Sequence, residues 1–158
     1  MILLDTNVLS ELMRPAPNAG VVRWLDQHPD LELWICAVTK AEIRLGISLL
    51  PEGKRQRVLL AMAEQTFQED FFERCLPFDC EAAVHYARIV AKRREQGLPV
   101  SVEDAQIAAV ALTGGLVLAT RNTRDFVGIE GLQVVNPWES DEPRGREPRG
   151  SSLLPREG

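Results

Sequence analysis

The side chains best suited to chemistry in this sequence are four carboxylates that lie far apart along the chain. Asp5 directly follows a short apolar run at 2–4, and Asp125 lies just beyond a second apolar run at 116–119. Glu42 and Asp104 each fall in the first turn of a predicted helix. Parallel strands present their carboxyl ends at one edge of a sheet, so we expect all four carboxylates to meet there.

A set of oxygen ligands without histidine or cysteine favours a hard divalent cation, Mg²⁺ or Mn²⁺. The chain has only two histidines, His28 and His85, and its three cysteines form no C-x-x-C pair, which disfavours zinc. Clustered carboxylates repel one another and raise each other's pKa unless a cation is present. This chemistry predicts a metal site that acts on phosphate esters.

Each acid also has a simpler interpretation. Thr39-x-x-Glu42 has the pattern of a helix capping box, and Ser101-x-x-Asp104 imitates one. Taken singly, Glu42 and Asp104 are more often caps than ligands. Asp5 is harder to explain in this way, because it abuts a buried strand, where an unpaired charge is costly to desolvate.

Strand and helix patterns alternate over 1–138 and predict a single α/β domain. The sheet is expected to be mostly parallel, with helices on both faces, because its strands are continuously apolar. The predicted strands are 2–4, 33–37, 116–119 and 132–135, and the longer predicted helices are 54–73, 80–96 and 102–112. Residues 139–158 are rich in Pro, Gly, Arg and acids, and are predicted to form a disordered polar tail.

Composition excludes several classes of protein. No apolar run reaches the roughly 18 residues of a membrane span, and the N-terminus lacks the basic start of a signal peptide. The odd cysteine count indicates reduced thiols and a cytoplasmic protein. The net charge of −5 is unusual for a nucleic-acid binder, yet four of the acids are assigned here to a metal site.

Five segments together resemble PIN-domain ribonucleases of the VapC toxin type, and the last of them is similar to the end of the FitB-like subgroup. Any one motif is weak, but four acidic motifs in the right order are specific, and the resemblance covers 1–138. The segments are MILLDTNVLSE at 1–11, TKAEIRLG at 39–46, EDAQIAA at 103–109, LATRNTRDF at 118–126 and VNPW at 135–138.

The resemblance implies a function and a set of roles. Asp5, Glu42 and Asp104 would bind the divalent metal, with Asp125 as a fourth acidic member that completes the site. The resemblance also implies Mg²⁺-dependent endonucleolytic cleavage of RNA, a homodimer, and a small cognate antitoxin that blocks the site.

The same comparison implies supporting roles for Thr6, Asn7 and Thr120, although turn or cap chemistry explains these residues equally well. Arg121 and Arg124 flank the fourth acid and are predicted to contact RNA phosphates. The basic clusters at 54–57 and 92–94 are interpreted instead as solvated helix faces.

Two other functions remain open at this stage. One is a phosphotransfer protein, but a second Asp two residues after Asp5 is missing, and no Lys follows Lys92. The other is a catalytically silent PIN-fold module that binds a partner protein and uses its acids as caps. The presence of all four acids together argues against the silent module.

Overall fold

The computed structural model of the chain describes residues 1–139 and confirms the predicted α/β class. Of the predicted tail at 139–158, all but Glu139 lies outside the described residues. The strands are β1 (Ile2–Leu4), β2 (Leu33–Cys36), β3 (Cys75–Leu76), β4 (Val117–Ala119) and β5 (Val134–Val135). The helices are α1 (Thr6–Leu12), α2 (Ala19–Asp26), α3 (Ala37–Ser48), α4 (Lys54–Gln65), α5 (Cys80–Glu95) and α6 (Val102–Gly114).

The strands form one sheet in the order β3-β2-β1-β4-β5, and the pairings between neighbours are parallel. The first strand therefore lies at the centre, where Leu3 pairs with Trp34 on one side and Leu118 on the other. Because the carboxyl ends of β1 and β4 are adjacent, the residues that follow them, Asp5 and Thr120, are brought together.

Two apolar layers cover the sheet, as the uninterrupted apolar strands predicted. Ile2 and Leu4 face a core cluster that includes side chains of α1 to α4. Leu3 and Leu118 face the opposite cluster, which contains side chains of α5 and α6. Alternate residues of one strand thus enter different cores, so β1 must be apolar throughout. None of the helices within 1–139 combines the length and apolar character of a membrane span.

The predicted helix at 54–73 is wrong in its second half. Regular α4 ends at Gln65, and the chain continues as a π-helical turn, Thr66–Asp70, in which the Phe71 amide donates to the Thr66 carbonyl at 3.2 Å. The Thr66 hydroxyl donates to the carbonyl four residues earlier, which competes with regular helix bonding. The wider turn lets both Phe67 and Phe71 remain in the core.

The last two strands are shorter than predicted, because their first residues are used in turns. The Leu116 amide donates to the carbonyl of Ala111 at 2.9 Å and so closes the end of α6 instead of entering the sheet. Gly115 permits this closure, since its φ of 65° is in the left-handed region. Leu132 likewise donates to the Ile129 carbonyl in a turn before β5.

Candidate active site

Asp5 lies at the carboxyl end of β1 and is only 3% exposed. Its backbone amide continues the sheet by donating to the Ala119 carbonyl at 2.9 Å, and the residue also serves as the N-cap of α1. Both carboxylate oxygens are hydrogen-bonded: Oδ1 accepts from the Thr6 amide at 2.7 Å. Oδ2 accepts from the Thr120 hydroxyl at 2.7 Å and from Asn7 Nδ2 at 3.1 Å. Asp5 is therefore fixed in position before any ligand arrives.

Glu42 is held by a hydroxyl rather than by the end of its own helix. Thr6 Oγ1 donates to Glu42 Oε1 at 2.7 Å and lies 3.2 Å from the hydroxyl of Thr39, which is fully buried. The capping-box interpretation of Thr39 and Glu42 is wrong, because α3 begins at Ala37 with Cys36 as its N-cap. Thr39 therefore lies inside the helix and is free to pack beneath the site.

Asp104 lies in the first turn of α6 and is half-buried. The capping pattern is confirmed here, since Ser101 is the N-cap and its hydroxyl accepts a hydrogen bond from the Asp104 amide at 3.1 Å. This bond occupies the backbone of Asp104, so capping the helix does not prevent the carboxylate from taking part in the site.

Asp125 belongs to a short 3₁₀ helix, Thr123–Phe126, that follows β4. Its side chain is exposed, whereas the next residue, Phe126, is 1% exposed and packs in the core shared with α6. The Asp125 amide donates to the Asn122 carbonyl at 3.0 Å, and the Asn122 amide donates to the Thr120 hydroxyl at 3.1 Å. A chain of hydrogen bonds thus joins this turn to Asp5 through Thr120.

The four carboxylates, called the acid cluster below, interact electrostatically. Burial, followed by the charges of Asp5, Asp125 and Glu42, raises the pKa of Asp104 to about 6, although Ser101 opposes this rise. Burial is also the largest cause of the raised pKa values of Asp5 and Glu42, and hydrogen bonds from their threonine partners oppose it. The repulsion is a feature that a cation would relieve.

The donor set of the acid cluster fits a hard divalent cation, because it consists of carboxylate oxygens that repel one another. Within residues 1–139, however, no three His, Cys, Asp or Glu side chains are grouped closely enough to hold a metal ion as they stand. The cluster therefore has the chemistry of a metal site, while its side chains stand apart from ligating geometry.

The remaining predicted residues surround the cluster. Asn7 links both strand ends, since its Nδ2 donates to Asp5 and to the Thr120 hydroxyl, and its Oδ1 accepts from the Arg121 amide at 3.2 Å. The Arg121 guanidinium lies 5.2 Å from the centre of the Trp138 ring, a cation–π contact that directs the side chain. Arg124 is exposed on the 3₁₀ helix beside Asp125.

A cleft of about 470 Å³ opens from the cluster between α1, α3 and α4. Thr6 and Glu42 form one end of it, Arg14 and Arg55 contribute positive charge, and Ile43 is among its apolar walls. The cleft gives a polymer or a partner segment a route to the carboxylates.

Sequence reasoning missed two residues that support the cluster. The sequence pattern predicts Thr39 only as a cap, since nothing in it separates a capping threonine from a buried one. Arg93 was assigned with 92–94 to a solvated helix face, which is wrong for Arg93: it is 6% exposed and donates to the carbonyl oxygens of Asp125 and Val127. Its position in the apolar stripe that includes Ile89 was the available signal.

Comparison with known proteins agrees with this geometry. The family model described as "PIN domain" matches residues 2–132, and the chain belongs to this family. It is 46% identical over 140 residues to the plasmid stability protein StbB of Pseudomonas syringae pv. tomato, covering 89% of this chain and 100% of the relative. It is 44% identical to toxin FitB of Neisseria gonorrhoeae, covering 87% and 99%.

Two further similarities bear on activity and assembly. The VapC ribonuclease Y4jK of Sinorhizobium fredii is 38% identical, with 88% of this chain and 99% of the relative covered. Among solved structures, FitAB bound to an IR36 DNA fragment superposes with a TM-score of 0.82 at 42% identity, covering 90% of this chain and 99% of that one. PIN-domain nucleases of the VapC type generally depend on divalent metals.

Proposed function

We propose that this chain is a metal-dependent endoribonuclease and the toxin of a type II toxin–antitoxin module. The observation that carries the proposal is the acid cluster at the carboxyl edge of the sheet, in which the pKa of Asp104 is raised to about 6. Similarity to a VapC ribonuclease and to toxin FitB supports the substrate class and the biological role. A catalytically silent module is not favoured, since all four acids are present together.

In the proposed mechanism Asp5, Glu42 and Asp104 hold Mg²⁺ or Mn²⁺, and Asp125 completes the set. The ion, when bound, acidifies a water molecule and offsets charge at the scissile phosphate. Thr6, Asn7 and Thr120 keep two of the carboxylates oriented through the hydrogen bonds described above. A carboxylate of the set that is not fully occupied by the metal would accept the proton of the attacking water.

RNA phosphates are proposed to contact Arg121 and Arg124, which border the cluster. Stacking on Trp138 holds Arg121 at the edge of the site, so little side-chain entropy is lost when a phosphate binds. The overall charge of −5 does not oppose this role, since part of the negative charge belongs to the acid cluster.

A small antitoxin is proposed to bind the apolar end of the cleft. Met13, Val58, Leu59 and Met62 line a neighbouring hollow of about 530 Å³, and Val58 is 48% exposed. A partner helix with apolar residues at helical spacing fits such a groove. From there its chain could reach Glu42 and block the cluster.

We further propose a homodimer through the exposed side of α3 and α6. Leu45 is 59% exposed, and with Val38 and Ala41 it forms the apolar part of a shallow surface that Glu42, Glu103 and Gln106 border. We place the protein in the cytoplasm, because its three cysteines are free thiols and its proposed substrate is cellular RNA.

The test is cleavage of RNA by the purified protein with Mg²⁺ or Mn²⁺, arrested by a chelator and restored by added metal. Asp5→Asn provides the matched control, because it keeps the shape of the side chain and removes its charge. Cleavage that persists in the chelator or in Asp5→Asn contradicts the proposal, as does RNA left intact by the wild-type protein.

A further inference from the structure

Arg93 is a buried cation in the last turn of α5. Its Nη2 donates to the carbonyl oxygen of Val127 at 2.6 Å and to that of Asp125 at 3.0 Å. These two acceptors belong to the residues on either side of Phe126, so the guanidinium is hydrogen-bonded to the backbone where the 3₁₀ helix ends.

Burying a charged side chain to provide hydrogen bonds to two neutral carbonyl groups is energetically unfavourable. Removing a guanidinium from water is unfavourable unless its hydrogen bonds are well formed, and among the described residues no carboxylate forms an ion pair with Arg93. Both bonds come from Nη2, whose two N–H groups are fixed in the plane of the guanidinium, whereas the ammonium group of a lysine rotates freely. The arrangement is therefore suited to fixing the backbone precisely.

The segment held by Arg93 carries the most exposed member of the acid cluster. Phe126 anchors the segment from the core, the bond from Asn122 to Thr120 ties its start to the strand ends, and Arg93 fixes its end. Asp125 itself accepts no described side-chain hydrogen bond, yet its charge raises the pKa of Asp5 and of Asp104. Its place at the cluster depends on the backbone beneath it.

We propose that Arg93 is a positioning residue that holds the Asp125 segment so that the Asp125 carboxylate stays at the acid cluster. This inference rests on the proposed function, since it assumes that the cluster binds a divalent metal. Without the guanidinium, the two carbonyls would turn to solvent and the segment would sample positions from which Asp125 cannot contribute.

The experiment compares Arg93→Gln with Arg93→Lys, using Arg94→Gln as a matched control on an exposed neighbour. Two measurements need no RNA: Mn²⁺ affinity by titration calorimetry, and hydrogen exchange of the amides at 122–128 in the metal-free protein. We expect Arg93→Gln to weaken Mn²⁺ binding about tenfold, as loss of a supporting partner typically does, and to speed exchange in this segment. Arg93→Lys should recover part of both effects, and Arg94→Gln should match wild type.

A double variant tests whether Arg93 affects Mn²⁺ binding through Asp125. In an Asp125→Asn background, Arg93→Gln should cause no further loss of Mn²⁺ affinity, because the carboxylate that it positions is gone. RNA cleavage by Arg93→Gln should return toward the wild-type rate at saturating Mn²⁺. Bound Mn²⁺ also stabilises any folded protein that binds it, so the melting temperature of Arg93→Gln without metal is measured alongside to separate a positioning loss from simple destabilisation.

Several results would overturn the proposal while leaving ribonuclease activity intact. These are unchanged Mn²⁺ affinity in Arg93→Gln despite a lower melting temperature, an equal loss in the Asp125→Asn background, or Mn²⁺ binding that is indifferent to Asp125→Asn. If Arg93→Gln does not fold, Arg93→Lys is judged by the same criteria. Failure of the wild type to cleave RNA, with the Mn²⁺ and exchange effects present, contradicts the proposed function and supports the positioning role.

Discussion

Asp5 approaches the acid cluster from a strand and is almost completely buried, whereas Glu42, Asp104 and Asp125 approach from helical segments and keep contact with solvent. On the strand side, both carboxylate oxygens of Asp5 have hydrogen-bond donors within 3.1 Å. On the helical side, Glu42 has one described hydroxyl donor and Asp125 depends on its backbone.

The difference divides the acid cluster into two halves. We call Asp5 with its hydrogen-bond donors the preformed half, and the helical carboxylates Glu42, Asp104 and Asp125 the adaptable half. Sheet pairing and the threonine and asparagine bonds fix Asp5, so it can serve as the reference point for the ion. No three of the carboxylates are in ligating geometry within the described residues, so some side chains must move when a metal binds. We expect the helical carboxylates to move, because they have fewer described hydrogen bonds than Asp5. Disturbing the strand side should therefore cost more than disturbing the helical side.

The largest effect is expected for Asp5→Asn. This substitution removes one charge from the preformed half and keeps the shape of the side chain. Because the metal is then held less well, several kcal/mol of transition-state stabilisation are lost, and kcat/KM should fall about 10³-fold. The measurement is steady-state RNA cleavage at saturating Mg²⁺. Circular dichroism and melting curves of the variant should show a folded protein, and activity within tenfold of wild type would contradict the reference role.

Lowering the pH should weaken metal binding through the helical half. The pKa of Asp104 is raised above the usual range of an aspartate to about 6 in the metal-free protein, so protons compete with the metal below that pH. Because each bound proton must be displaced, Mn²⁺ affinity should fall about tenfold per pH unit below this point. Calorimetry at pH 7.5 and pH 5 measures the change, and Asp104→Asn should flatten it.

The raised pKa of Asp104 also makes the stability of the fold depend on pH. The direction of this dependence is opposite to that caused by an acid in a salt bridge. The folded state binds the Asp104 proton more tightly than the unfolded state does, so the metal-free protein should gain stability as pH falls from 7 through 6 towards 4. Asp104→Asn should raise the melting temperature at pH 7.5, and this rise should shrink as the pH falls from 6 towards 4. A fall at pH 7.5 would show that Asp104 is held by a favourable partner.

A smaller loss is expected for Thr120→Val, which keeps the volume and deletes the hydroxyl that donates to Asp5 Oδ2 at 2.7 Å. Loss of such a supporting bond typically costs 10- to 100-fold in metal affinity or activity, and we expect about tenfold, since Asn7 still donates to the same oxygen. Thr113→Val is the matched control, because the described hydrogen bond of its hydroxyl is to the Ala109 carbonyl within α6, away from the acid cluster. Equal effects in the two variants would contradict the assignment.

The comparison also explains what the sequence could predict. Asp5 can be identified from the sequence because an unpaired charge next to a buried strand is unfavourable unless it has a functional partner. The parallel sheet can be predicted from its continuously apolar strands. The assignment of Thr39 is wrong because a capping threonine and a buried one have the same sequence pattern. The assignment of Arg93 is wrong because its basic neighbours outweigh the signal of its position in the apolar stripe with Ile89. The π-helical turn at Thr66–Asp70 was missed, since helical spacing of apolar residues does not distinguish a regular helix from a widened one.

The smallest effect is expected at the rim, where Arg121→Gln removes a phosphate contact without touching either half of the acid cluster. For single-stranded RNA, one lost contact should lower the slope of log affinity against log salt by about 0.7. We therefore expect a KM increased about threefold at low salt, a difference that shrinks as salt rises, and an unchanged kcat. Arg57→Gln, on the exposed face of α4, is the control. A reduced kcat with an unchanged salt slope would instead place the Arg121 guanidinium among the groups that act on the reacting phosphate, because the backbone bond from the Arg121 amide to Asn7 is kept in the variant.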